Sequence, residues 1–293
     1  MKMHVKNLIM FTLMLCLGTV VIWANPQVRN ELYLVTDFTY SSNDLGTIEK
    51  GIREANEILK KYGFPFSHTI QIGEDNKVTY FYKLRNYADF DVLNKFWSDF
   101  PRRAGADFNR FLAACGNVTS AFSSIWNLRE DLSYTSLNKP LSVGLNASEN
   151  YTVRNFYYFK ATEQRKAESF FQDLKKLYQS KRIPGEYRVL LSSLGADRLC
   201  FSLEYTYESD PGGKSIFTSA DRINLKAIPN WNLFGAEGQN TYQELFNRTD
   251  GILRKTEVKK AQWRPDLYLK STGFKGQWRP ALKPRDTRII GSN

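Results

Sequence analysis

The side chains able to do chemistry are few: Asp37, His68, Lys83, Arg188 and Glu204 are the candidate polar groups of a cleft between two halves of the chain. Asp37 interrupts the run Glu31 to Tyr40, on the side of Tyr33 and Val35. A carboxylate there could orient a ligand or take a proton, or simply meet water near a strand end. Arg188 offers the planar fork that suits a carboxylate. Lys83 and Glu204 hold equivalent places in two similar hairpins with opposite charge. They either meet inside a closed sheet or are solvated at its rim, the buried pair being the costlier option. His68, in Phe66-Ser67-His68-Thr69-Ile70, could be a ligand, a base or a hydrogen-bonded structural residue. One such histidine with the distant Cys115 and Cys200 lacks zinc-ligand spacing. No Gly-x-Ser-x-Gly elbow and no phosphate-cradling glycine loop occurs. These residues therefore define no catalytic centre and require no metal or cofactor. Gln262-Trp263-Arg264-Pro265 and Gln277-Trp278-Arg279-Pro280 carry a second kind of chemistry. Trp263, Arg264, Trp278 and Arg279 set an indole beside a guanidinium, which suits a sugar, an aromatic or a phospholipid headgroup at a surface. The first copy overlaps an expected strand and could pack instead.

Such residues need elements to position them, and the elements repeat. Glu31 to Tyr40 reads as a strand, and Asn43 and Asp44 cap a helix to about Lys61 with Ile48, Ile52, Ala55, Ile58 and Leu59 at helical spacing. Phe64 to Ile72 and Lys77 to Leu84 form a hairpin across Gly73-Glu74-Asp75-Asn76. A longer helical region runs from Asp89 to about Ile125, and Asp131 to Tyr134 makes a short closing strand. After the polar stretch Asn138 to Asn150 the order returns: strand Val153 to Thr162, helix Glu163 to Lys181, and hairpin Glu186 to Ser193 with Arg198 to Tyr207. A mostly helical segment from Gly235 to about Lys255 and a closing strand Arg264 to Tyr268 complete it. Lys77 and Arg198 each open a third strand, and Arg129-Glu130-Asp131-Leu132 echoes Arg264-Pro265-Asp266-Leu267. The fold class is α+β: two tandem ferredoxin-like βαββαβ units, residues 25–137 and 153–271, packed sheet to sheet as an intrachain pseudo-dimeric α+β barrel. Alternation turns Val78, Tyr80, Tyr82 and Leu84, with Leu199, Phe201, Leu203 and Tyr205, toward the helices. Thr79, Phe81 and Lys83, with Cys200, Ser202 and Glu204, then share the opposite face.

This order, the paired hairpins and the Asp-Leu closing segments resemble the dimeric α+β barrel superfamily. That superfamily includes NIPSNAP-like proteins, the antibiotic-biosynthesis type of monooxygenase and the chlorite dismutase relatives. The resemblance spans about Glu31 to Lys270. It implies the barrel and a functional range from cofactor-free oxygenases through haem proteins to modules without chemistry. A haem-binding relative would need His68 as its axial ligand.

The 293 residues carry 41 Lys and Arg against 30 Asp and Glu. Lys2 and Lys6, the apolar run Leu8 to Ile22 and small Ala24 follow the grammar of a cleavable signal peptide over residues 1–24. A secreted or periplasmic protein beginning at Asn25 is expected, with an N-terminal membrane anchor as the other reading. Cys115 and Cys200 either pair or stay as buried thiols. From Arg254 onward eleven Lys and Arg face three acids, so the tail 272–293 favours an anionic envelope surface; no nucleic-acid partner is expected. The functional expectation is an exported, non-enzymatic protein that binds a small apolar or amphipathic ligand or serves as an interaction scaffold. The alternatives are a cofactor-independent monooxygenase-like enzyme using the cleft between the units, and envelope or membrane attachment through the Trp-Arg tail. Convergence of the polar candidates on one cavity is what the enzyme reading requires.

Overall fold

A computed structural model describes residues 31–41, 44–73, 77–136, 141, 151–196, 199–207 and 228–271. The expected leader, the turn residues 74–76, nearly all of the expected linker, Arg198, and the tail with Trp278 and Arg279 lie outside the described residues.

Strand β1 (Glu31–Tyr40) leads into helix α1 (Leu45–Lys61), where the Asp44 carboxylate accepts the Gly46 N–H at 3.0 Å. The hairpin follows as β2 (His68–Gly73) and β3 (Lys77–Leu84). The single helical region expected from Asp89 to Ile125 breaks twice. Helix α2 (Asp89–Ala104) ends at Gly105, whose φ of +54° suits only a residue without a Cβ, and α3 (Ala106–Ala114) stops before Gly116. Val118–Leu128 is instead β4, because its alternation of Phe122, Ser124, Trp126 and Leu128 has the period of a strand. The second half runs β6 (Tyr151–Phe159), α4 (Gln164–Ser180), β7 (Glu186–Leu194), β8 (Cys200–Tyr207), α5 (Gly235–Asn247) and β9 (Leu253–Trp263). The closing strands were expected too late in each half. Pro265–Leu267 is a short 3-10 turn, and Leu132 and Ser133 donate their N–H groups back to the Arg129 carbonyl. Only Tyr134–Thr135 pairs, as a two-residue strand β5 on β7.

Every strand pairing is antiparallel. The sheet order is β4-β1-β3-β2-β9-β6-β8-β7, and β7 pairs back onto β4, which closes an eight-stranded barrel. The two halves therefore do not stack as separate sheets. Their edges bond, β2 to β9 through Gln71↔Trp263 and β4 to β7 through Leu128↔Leu190, so no edge among these strands is left open.

The helices cover the outside. Phe170, Phe171 and Leu174 of α4 and Tyr242 and Phe246 of α5 pack on Tyr157, Phe201 and Leu203. Ile48, Ile52, Ile58, Leu59, Phe96 and Phe100 do the same for the first half. A separate apolar cluster, with Tyr33, Val35, Phe81, Trp126, Phe156, Leu190 and Trp263, lies inside the barrel. The echoed Arg-x-Asp-Leu segments anchor the first helix of each half. Arg129 forks onto Asp131 at 2.8 and 2.7 Å and reaches Glu168 of α4; Arg264 forks onto Asp266 at 3.0 and 2.9 Å and reaches Glu49 of α1. Leu132 and Leu267 are buried beneath them.

Candidate functional site

Alternation along eight strands decides which side chains enter the lumen, and they form one cavity of about 230 Å³. Val35, Phe81, Trp126, Phe156, Tyr158 and Leu190 give it apolar and aromatic walls, and Ser124, Cys200 and Ser202 interrupt them. Asp37, Arg154, Lys255 and Lys259 supply the charge. Phe122, more than half exposed, stands with the half-exposed Lys255 and Lys259 at the solvent side. A narrower polar space of about 20 Å³ adjoins, sharing Asp37, Arg154 and Lys259. It has room for about one water molecule.

Below the cavity lies a buried charge network. Glu204 accepts from Arg188 at 3.0 Å, from Arg154 at 2.7 Å and from Gln71 at 3.1 Å. Arg188 also pairs with Glu186, and Gln71 returns its carbonyl to Arg154 at 2.8 Å. Burial alone pushes the Glu204 carboxyl up, but the Arg154 and Arg188 guanidinium groups outweigh it and hold the acid below its usual range. Two carboxylates and two guanidinium groups balance in charge, which is the condition for keeping four ions out of water.

At the other level Asp37 accepts from the Thr79 hydroxyl at 2.6 Å and lies 3.7 Å from the Lys259 ammonium. The Tyr158 hydroxyl donates to Glu257 at 2.9 Å. Burial, with the nearby Cys200 and Glu257, pushes that phenol well above its ordinary range, so Tyr158 stays a neutral donor. Lys255 sits 4.1 Å over the Tyr158 ring and Lys259 5.1 Å over that of Phe156. Asp37 thus has room for a ligand proton, and cations flank the place where negative charge would remain.

Of the five candidates Asp37 lines the cavity, while Glu204 and Arg188 stand behind it, joined to it through the bond of Arg154 to Glu204. Lys83 does not meet Glu204; it pairs with Glu31, with two-fifths of its side chain exposed. His68 leaves the set altogether. Its register opposite Tyr82 puts it on the helix-facing side, buried against Tyr80 and Tyr82, with neither ring nitrogen hydrogen-bonded among the described residues. Burial pushes its pKa down to about 3. A haem in the lumen would find no imidazole there among the described residues, so the donor set does not fit a His-ligated haem. Trp263 is buried inside the barrel against Phe81 and Tyr268, and Arg264 is occupied by Glu49 and Asp266, so neither offers itself to an outer surface. Cys115 and Cys200 are not joined in a disulfide. The sequence reading missed Arg154, Lys255 and Lys259. For Arg154 the signal was available, since it alternates with Phe156 and Tyr158 on one face of its strand.

No protein-family description matches the chain, and no curated protein matches it. Solved structures do. An anthrone oxidase-like protein superposes with a TM-score of 0.52 at 16% identity, over 86% of this chain and 97% of that one. A candidate monooxygenase from Lactobacillus acidophilus gives 0.44 at 13% identity over 80% and 94%. A chlorite dismutase from Candidatus Nitrospira defluvii, in complex with imidazole, gives 0.41 at 11% identity over 80% and 91%. The first of these shows the fold, the ferredoxin-like α+β barrel. It also corrects the expectation of a non-enzymatic scaffold, since the solved structure that shares the fold is described as an anthrone oxidase-like protein.

Proposed function

We propose that the barrel lumen is the active site of a cofactor-independent, monooxygenase-like enzyme acting on a small ring-bearing substrate. One observation carries the reading: Asp37 and Arg154 converge on a single aromatic-walled cavity. A substrate with an acidic C–H group beside a carbonyl or phenol would give its proton to Asp37, while Lys259 and Arg154 stabilise the negative charge left behind. That electron-rich anion reduces dioxygen directly. One oxygen atom forms the new C–O bond and the other leaves as water with the two hydrogens lost, so a ring CH₂ and O₂ become C=O and H₂O. A cavity of about 230 Å³, below the roughly 300–1,000 Å³ of drug-sized sites, favours one or two fused rings. The test is oxygen uptake by the purified protein with the two-ring ketone 2-tetralone and with anthrone. Uptake that depends on the protein, and falls about a hundredfold in Asp37→Asn, supports the proposal; equal uptake by the variant overturns the role of Asp37.

The repeated strand order, four strands in the sequence 4-1-3-2 twice over, supports reading the two halves as tandem units, NIPSNAP-like in arrangement. We further propose that the enzyme works after export. Lys2, Lys6 and the apolar run before Ala24 support this, and a mature N-terminus at Asn25 in terminal sequencing would bear it out.

A further inference from the structure

Arg154 is held more tightly than a surface cation needs to be. Its Nε and Nη2 donate to Glu204 at 3.3 and 2.7 Å, and Nη2 also donates to Gln71 at 2.8 Å. The guanidinium carbon lies 4.8 Å from the Phe81 ring centre and 5.9 Å from that of Phe156. Its clamp is itself fixed, because the second oxygen of Glu204 accepts from Arg188. Only the Nη1 group makes no hydrogen bond among the described residues. The side chain is 11% exposed, and it lines both the main cavity and the adjoining polar space. Buried ion networks rarely repay their desolvation in stability, so this one is better understood as a device for orientation.

We propose that Arg154 is the anion anchor of the lumen. The ligand is a small aromatic ring bearing an anionic oxygen, either carboxylate or phenolate, which accepts from Nη1 while the ring lies among Phe81, Trp126 and Phe156. Donor geometry carries the argument. Nη2 spends both its hydrogens on Glu204 and Gln71, which fixes the plane of the guanidinium, and leaves the two hydrogens of Nη1 uncommitted among the described residues on a side chain that lines the cavity. Pre-organisation lowers the entropy lost on binding. The ring faces bring cation-π and stacking contacts to the same spot. Lys259, which lines both spaces, reinforces the preference for an anion. This inference rests on the lumen being the substrate site and names the substrate class.

The test needs no turnover and is run without oxygen. The purified full chain is titrated with 4-nitrobenzoate, 4-nitrophenol at pH values on either side of its ionisation, and the neutral 4-nitrobenzyl alcohol. Quenching of tryptophan fluorescence reports binding, and a Trp126→Phe variant assigns the signal to the lumen. The expected result is at least tenfold tighter binding of an anionic form than of the neutral alcohol. The carboxylate and phenolate arms show which group the site takes. Arg154→Gln should remove the preference while leaving binding of the alcohol in place. If that variant does not fold, Arg154→Gln with Glu204→Gln, which keeps the charge balance, serves instead. Equal binding of the alcohol and both anions by the wild-type protein would overturn the anchor, whatever the oxygen-uptake assay shows. Oxygen uptake without an anion preference would leave the enzyme reading standing and remove only the anchor.

Discussion

His68 gives the sharpest test of the burial argument. The ring is fully enclosed, its two nitrogens have no partner among the described residues, and Tyr80 and Tyr82 press on it at 4.9 and 5.2 Å between ring centres. Both tyrosines have their phenols raised by burial, so no charge among them favours an imidazolium. The folded-state pKa is therefore depressed, from 6.5 to about 3. A depressed histidine keeps its full stabilising effect above its unfolded pKa and loses it as the unfolded chain takes up a proton that the folded chain refuses. The loss begins near pH 6.5, proceeds at about 1.4 kcal/mol per pH unit, and would total ~4 to 5 kcal/mol by pH 3. Between pH 7.5 and 5 it amounts to about 2 kcal/mol. Carboxylates held low, such as Asp266 at about 2, add their losses only at lower pH. The assay is urea denaturation of wild type and His68→Leu at pH 7.5, 6.5, 5.5 and 5. Replacing an unpartnered buried polar ring by an apolar side chain of similar volume should change stability at pH 7.5 by less than about 1.5 kcal/mol. It should also flatten the decline toward pH 5. Parallel declines in the two proteins would refute the reasoning.

Three further outcomes follow from the packing. Glu204→Gln leaves the Arg154 and Arg188 guanidinium groups without their shared acid, and urea denaturation should show a loss of about 3–5 kcal/mol; a loss below about 1 kcal/mol would mean that water reaches the network. Gly195→Ala places a Cβ 2.5 Å from the Ser123 carbonyl oxygen at a φ of +77°, against the β4–β7 seam. The variant should lose more than about 1 kcal/mol, and an unchanged melting midpoint would contradict closure at that seam. A chain ending at Ser271 keeps the bonds of that residue to Phe64 and Ser67. It should melt within about 2 °C of the full chain, whereas retention on anionic liposomes should weaken with the basic tail gone and, in the full chain, with added salt.

The parts legible in the sequence were those with a single strong period. β1, β3, α1 and α4 lie within a residue or two of their expected bounds, because an apolar face against a helix layer leaves an unbroken signal. Most of β4 falls in the expected helical region and most of β9 in no expected element, because their inward faces line a polar lumen: Ser124 in one, and Lys255, Glu257 and Lys259 in the other, blur the alternation that core strands show. The same blurring hid the cationic side of the cavity. The placement of Phe81, Cys200, Ser202 and Glu204 in the lumen came directly from alternation. His68 was grouped with them although it shares its face with Ile70 and Ile72, which pack toward the helices. The ring closure needed the pairings of β2 with β9 and β4 with β7, contacts between residues far apart in the chain that no local pattern encodes.

The central claim is that the reaction takes place in the lumen, and filling the lumen tests it. Ala196 lines the cavity and packs against the lumen cluster. Oxygen uptake with the best substrate of the panel is measured for wild type and for Ala196→Trp, with the melting transition of each recorded beside it. The account predicts uptake at background in a variant that melts as the wild type does. Full uptake by the folded Ala196→Trp protein would contradict it and place the chemistry elsewhere.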